Sequence, residues 1–148
     1  MDRNKAYEIF PQSGVSDIKF GMSASDVENL WGAPTRTSKN YLGDKTEVRD
    51  GAVVTYSQTD GGVAEIGFPS SYSNVVIQGV KIFQQPDQTI RELKVLDQDA
   101  YEGDGFIVFN TLCVSLSGFR GGDPKALTVT AFKRGWWDES IRDMNRLS

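Results

Sequence analysis

The run Ile18-Lys19-Phe20-Gly21-Met22-Ser23-Ala24-Ser25-Asp26-Val27-Glu28-Asn29-Leu30-Trp31-Gly32-Ala33-Pro34 constrains the fold more than any other stretch of the chain. It predicts a short strand at Ile18, one small helix and a firm stop. Ser23 is a good N-cap, and Asp26, three positions on, completes a capping box and favours the positive end of the helix dipole. Val27, Leu30 and Trp31 fall at i, i+3 and i+4 and so share one face. Gly32 can take the left-handed conformation after the last turn, and Pro34 prevents continuation. So short a helix is not stable alone, so its apolar face is predicted to pack on the rest of the chain.

A β-meander follows the polar segment 35–45, which carries Tyr41. Residues 46–49 alternate, Asp50-Gly51 is a two-residue hairpin turn, and 52–57 is rich in β-branched and aromatic residues. A glycine-containing loop over 58–62 leads to a third strand over 63–68, with Ala64, Ile66 and Phe68 at period two.

After a polar loop over 69–74 the plan repeats. Residues 75–83 read as strand and lead-in, and Pro86 suits the first helical position. Phe83, Ile90 and Leu93 match Phe20, Val27 and Leu30 in order and spacing. An acidic loop over 97–103, a hairpin signal at Asp104-Gly105, a long strand over 106–116, a loop over 119–125 and a last strand over 126–132 complete the second half. The tail is predicted to hold a helix within 134–145, capped by Asp138, with Ile141 and Met144 on one side. The expected architecture is α+β: short helices packed on antiparallel β-meanders, in one domain, 1–148. Tandem pseudo-repeats span approximately 15–70 and 75–133, with a tail over 134–148. The competing explanation of the repeat is chance similarity of two α+β segments.

Composition narrows the chemistry. With 148 residues, 39% hydrophobic and 24% charged, the chain suits one soluble globular domain. A net charge of −4 argues against nucleic acid as a partner. The sequence starts without the apolar core of a signal peptide, and no apolar run approaches a membrane span. No membrane association and a cytoplasmic location are expected. Cys113 is the single cysteine, expected to be a buried small hydrophobe in a reducing compartment. There is no histidine, which removes Ser-His-Asp and Cys-His systems and the usual catalytic zinc sites. No glycine-rich phosphate-binding motif occurs. The segment from Asp97 to Val108 starts Asp-x-Asp but lacks the glycine at position six and the glutamate at position twelve of an EF-hand. No cofactor, metal or catalytic residue is expected.

The pattern Phe20-Gly21-Met22-Ser23, Asp26-Val27, Leu30-Trp31-Gly32-Ala33-Pro34 resembles the signature of SmpA/OmlA-type proteins, small lipoproteins of the outer-membrane barrel-assembly machine. It is similar, too, to domains sharing the β-lactamase-inhibitor-protein fold. The resemblance covers residues 18–34 and the following Asp-Gly hairpin. It implies a helical element packed on an antiparallel sheet, sometimes in tandem, and an activity of protein binding. The lipoprotein leader and lipobox cysteine are not seen here. A leaderless, acidic, tandem form instead resembles small bacterial immunity proteins. The expected function is a non-enzymatic inhibitor or immunity protein that occludes the active site of a bacterial toxin or enzyme. The alternatives are an envelope-assembly scaffold module and a carboxylate-based enzyme.

The expected partner is a protein, such as a basic toxin or nuclease domain. Asp97, Asp99, Glu102 and Asp104 concentrate negative charge around Tyr101, which would steer a basic partner; a solvated acidic turn explains the same residues. Trp136 and Trp137 are a second candidate anchor, with core packing as the alternative. Tyr41 and Tyr72, in polar loops, are lesser candidates.

Overall fold

The computed structural model describes residues 1–148 and gathers the alternating segments into two sheets. In chain order the elements are β1 (Tyr7–Phe10), β2 (Gly14–Val15), β3 (Ile18–Lys19), α1 (Ala24–Trp31), β4 (Arg36–Lys39), β5 (Lys45–Arg49), β6 (Ala52–Tyr56), β7 (Val63–Pro69), β8 (Val75–Ile77), β9 (Val80–Lys81), α2 (Pro86–Leu96), β10 (Ala100–Gly103), β11 (Phe106–Phe109), β12 (Val114–Ser117), β13 (Thr128–Phe132), α3 (Asp138–Ile141) and β14 (Asn145–Arg146). The large sheet has nine strands in the order β14-β10-β11-β12-β13-β7-β6-β5-β4, antiparallel throughout. The small sheet has five, β3-β2-β1-β8-β9, with β1 and β8 parallel. The fold is α+β with few, short helices.

Two Asp-Gly turns set the large hairpins. Asp50 and Gly51 have φ of 48° and 87°, and Asp104 and Gly105 have 52° and 84°. Paired positive φ values make turns whose twist matches the strands they join. Gln78 and Gly79, at 46° and 82°, make the same turn between β8 and β9. The stretch expected over 75–83 as a strand and lead-in is thus a hairpin of two short strands.

The cap of α1 forms as the sequence predicts. Asp26 N–H donates to Ser23 Oγ (3.1 Å) and Ser23 N–H to Asp26 Oδ2 (3.2 Å). Gly32, at φ 87°, closes the helix with its N–H on Glu28 O. Only Val27 is fully buried, whereas Leu30 stays exposed. Trp31 turns to one flank of Val27, toward Tyr7 and Phe68, and Leu30 turns to the other, where it is left 47% exposed. The α1 lead-in is tied to the large sheet where Gly21 N–H donates to Val63 O and Val63 N–H to Met22 O, both 2.9 Å. Backbones pass so closely there that a Cβ at Gly62 would lie 2.8 Å from Gly21 Cα.

One face of the large sheet, both larger helices and the small sheet share the main core. Val54, Ile66, Phe68, Leu116 and Val129 meet Ile9, Ile18 and Val27 and the α2 residues Ile90 and Leu93. Tyr72, expected in a surface loop, is fully buried, with its ring 5.3 Å from that of Phe68 and its hydroxyl donating to Asp50 O (2.9 Å). A polar knot sits in the same layer. Arg49 donates to Glu47 Oε1 (3.1 Å) and Gly32 O (2.8 Å), and Tyr56 OH donates to Glu47 Oε1 (2.6 Å).

Other expectations are corrected. Residues 36–39 of the polar segment form an exposed edge strand, invisible to apolar alternation because neither face is buried. The long strand over 106–116 is broken by a turn at Asn110–Cys113. Asp97 Oδ2 accepts the Thr111 and Leu112 amides, each at 2.8 Å, which makes that turn possible. The tail contributes one turn of helix, α3, and then β14, which adds to β10.

Candidate interaction face

The opposite face of the large sheet carries a smaller apolar group and a tract of small and polar residues. Neighbouring strand residues point to opposite faces. Val53, Gly67, Thr130 and Ser115 therefore form one row across β6, β7, β13 and β12, with Thr55 and Glu65 paired beside it, all facing away from the main core. Thr130 Oγ1 would lie 3.1 Å from a Cβ at Gly67, so the two positions abut on that face. At one end the tail folds over it. The Trp137 ring lies 5.2 Å from that of Phe106 and 5.7 Å from that of Phe132, above Val108 and Cys113. Trp136 packs against the same group, and its indole N–H donates to Glu65 Oε1 (3.1 Å).

The β4–β5 loop rises opposite these tryptophans. Asn40 Oδ1 accepts the Leu42 and Asp44 amides, both at 3.0 Å. Gln58 Nε2 donates to Leu42 O (3.0 Å), and Gln58 N–H to Asp44 Oδ1 (3.1 Å). The backbone is thus fixed while its apolar side chains are left in water: Tyr41 is 94% exposed and Leu42 59%. Between the loop and the tail lies a half-open cleft of about 470 Å³, lined by Tyr41, Leu42, Asp44, Glu65, Asp104, Phe106, Trp136, Trp137 and Met144 among others. Burial holds the Glu65 carboxyl above the ordinary carboxylate range; the Trp136 hydrogen bond opposes this and the nearby Asp44 charge adds to it.

The predicted acidic loop divides. Asp97 faces inward and is buried, its carboxylate taken by the Asp99, Thr111 and Leu112 amides, so it presents no charge to a partner. Asp99 accepts from Tyr101 OH (2.7 Å) and Asn110 Nδ2 (3.2 Å), with Arg146 at 3.6 Å; these contacts lower its pKa, the tyrosine bond most. The Arg146 guanidinium lies 5.0 Å from the Tyr101 ring centroid. Glu102 pairs with Arg120 at 3.1 Å. Asp99, Tyr101 and Glu102 therefore belong to a strand-edge network with its own cations. Asp104, at the exposed corner of the β10–β11 turn, is the member that reaches the cleft, where it joins Trp136 and Trp137.

Sequence reasoning missed Leu42, Asp44 and Glu65 and gave Tyr41 a minor place. The available signal was an adjacent Tyr-Leu pair inside an otherwise polar connection. Cys113 is buried, and desolvation pushes its thiol up to about 11. No group of three His, Cys, Asp or Glu side chains is placed to hold a metal ion. No helix is long and apolar enough to cross a membrane. Comparison of the chain with protein-family models, with curated proteins and with solved structures gave no match.

Proposed function

We propose that this chain is a non-enzymatic protein-binding protein of the inhibitor or immunity type, which covers a partner's active site with the β4–β5 loop and the cleft beside it. The observation that carries this is the braced β4–β5 loop, which presents Tyr41 and Leu42 to water beside the Trp136–Trp137 cleft. Burying a side chain such as leucine contributes about 1.5–3 kcal/mol. A loop already held by hydrogen bonds loses little further freedom on docking. Tyrosine and tryptophan are the residue types on which interface energy concentrates.

Strand order supports the tandem form of this reading and its likeness to the β-lactamase-inhibitor-protein fold. Each meander, β4–β7 and β10–β13, follows a short hairpin and a helix, and the two meet antiparallel at β7 and β13. A buried, protonated lone thiol fits a reducing compartment, which supports cytoplasmic action.

The test is capture of stoichiometric partners from the source cell lysate by the tagged chain, with the Tyr41→Ala/Leu42→Ala double variant alongside. A toxin or enzyme recovered by the native chain and lost by the variant supports the proposal. Envelope-assembly proteins recovered in the same way replace it with the scaffold reading.

One observation favours a carboxylate-based enzyme as the second reading: Glu65, with its raised pKa, lies beside Asp44 in an aromatic cleft. Hydrolysis of a panel of aryl glycosides and esters, abolished by Glu65→Gln, would establish it. Equal background rates for both proteins would end it.

A further inference from the structure

We infer that the cleft between the β4–β5 loop and the tail receives a cationic side chain of the partner, an arginine guanidinium, on Asp44 and Glu65 between aromatic walls. This assignment rests on the protein-binding function proposed above and names the chemistry that the partner brings to it.

The charge of the lining is the first observation. Asp44, Glu65 and Asp104 line the cleft together, none has an arginine or lysine within 4.0 Å, and no arginine or lysine lines the cleft with them. The positive charge recorded against the cleft aromatics is Lys133, whose Nζ lies 5.2 Å from the Trp136 ring centroid and pairs with no carboxylate.

The second observation is the state of Asp44. This residue is only 5% exposed. Its Oδ1 accepts the Gln58 amide, while Oδ2 accepts from no group of the chain and is not sealed from solvent. That oxygen can accept from a donor that enters the cleft, and an ionised donor makes a stronger hydrogen bond than a neutral one. Glu65 lines the same cleft, where its Oε1 accepts the Trp136 indole and the Trp137 indole is a further nearby donor.

The third is the shape and chemistry of the walls. Trp136, Trp137, Tyr41 and Phe106 line the cleft, and aromatic faces attract cations most strongly when partly desolvated. A planar guanidinium can stack on such a face while its edge donates to a carboxylate, which a point ammonium cannot do as well. About 470 Å³ is ample for a whole arginine side chain.

The test uses the isolated full-length chain and a neutral-capped arginine, Nα-acetyl-arginine methylamide, against its citrulline counterpart, which keeps the shape and loses the charge. The readout is the indole N–H resonance of each tryptophan. Trp31 is the internal control, because its indole donates to Asp17 Oδ1 (3.0 Å), away from the cleft. The expected result is a saturable shift of Trp136 and Trp137 with the arginine probe in the millimolar range, none with citrulline, and an unmoved Trp31. Asp44→Asn and Glu65→Gln should each weaken it about tenfold or more, the order of a charge-assisted hydrogen bond. Unchanged backbone amide spectra would establish that both variants are folded. Equal response to arginine and citrulline, a Trp31 shift of the same size, or affinity unchanged in both variants overturns the assignment. No partner is present in this experiment, so its failure leaves the protein-binding function standing. Conversely, arginine binding without any partner lost on Tyr41→Ala/Leu42→Ala would count against that function alone.

Discussion

The Trp136 indole donates to Glu65 Oε1 across 3.1 Å, fastening the tail to the outward side of β7. Glu65 is largely desolvated, which raises its pKa above the ordinary carboxylate value. A raised pKa in the folded state means that Glu65 favours folding most below its unfolded pKa. That contribution is lost as pH rises through the folded value. Glu65→Gln keeps an oxygen for the indole and removes the titration. The variant should match the native chain near pH 4 in urea midpoint and exceed it at neutral pH, the gap opening across the raised carboxylate range.

The Glu47–Arg49–Tyr56 knot should respond more severely. Arg49 is 2% exposed, and removing its acid leaves a buried charge without compensation. Glu47→Ala is expected to cost about 3–5 kcal/mol, whereas Tyr56→Phe, which deletes one hydroxyl donor, should cost about 1–2 kcal/mol. Urea unfolding followed by circular dichroism measures both.

Cys113 should not react in the native protein. It is buried, and its thiol titrates near about 11, so almost no thiolate exists at neutral pH. Iodoacetamide labelling should follow global unfolding, with the rate in increasing urea tracking the unfolded fraction. Fast labelling without denaturant would contradict the burial.

Tyr41→Ala and Leu42→Ala should separate stability from binding. Both side chains are mostly in water, so unfolding free energies from urea titration should shift by less than about 0.5 kcal/mol. Against an identified partner, losses of about 2 kcal/mol or more are expected for the tyrosine. Calorimetric titration of each variant reads this directly.

Much of this architecture is written in local chemistry. The capping box at Ser23 and Asp26, both Asp-Gly turns and Pro86 at the start of α2 act over a few residues and are legible in sequence. Leu30 and Tyr72 are not, because what covers a side chain is decided by distant segments: Leu30 is left half in water, while Phe68 and Asp50 hold Tyr72 inside. Asp97 shows the same limit. Its charge reads as surface chemistry, but the amides of Thr111 and Leu112, brought back by β11, take it inside. The cleft was hardest to foresee, since Tyr41, Glu65 and Trp136 are joined only by the meander and the returning tail.

The parallel pairing of β1 with β8 bears on how the chain emerges during synthesis. When residues 1–74 are complete, β1 still lacks β8, and β7 still lacks β13. The edge of β7, with Ile66 and Phe68 among its side chains, therefore stays open until residues 128–132 have been made. Unpaired apolar edges are where nascent chains aggregate. The period of greatest exposure of the first half is thus fixed by the time needed to synthesise the second.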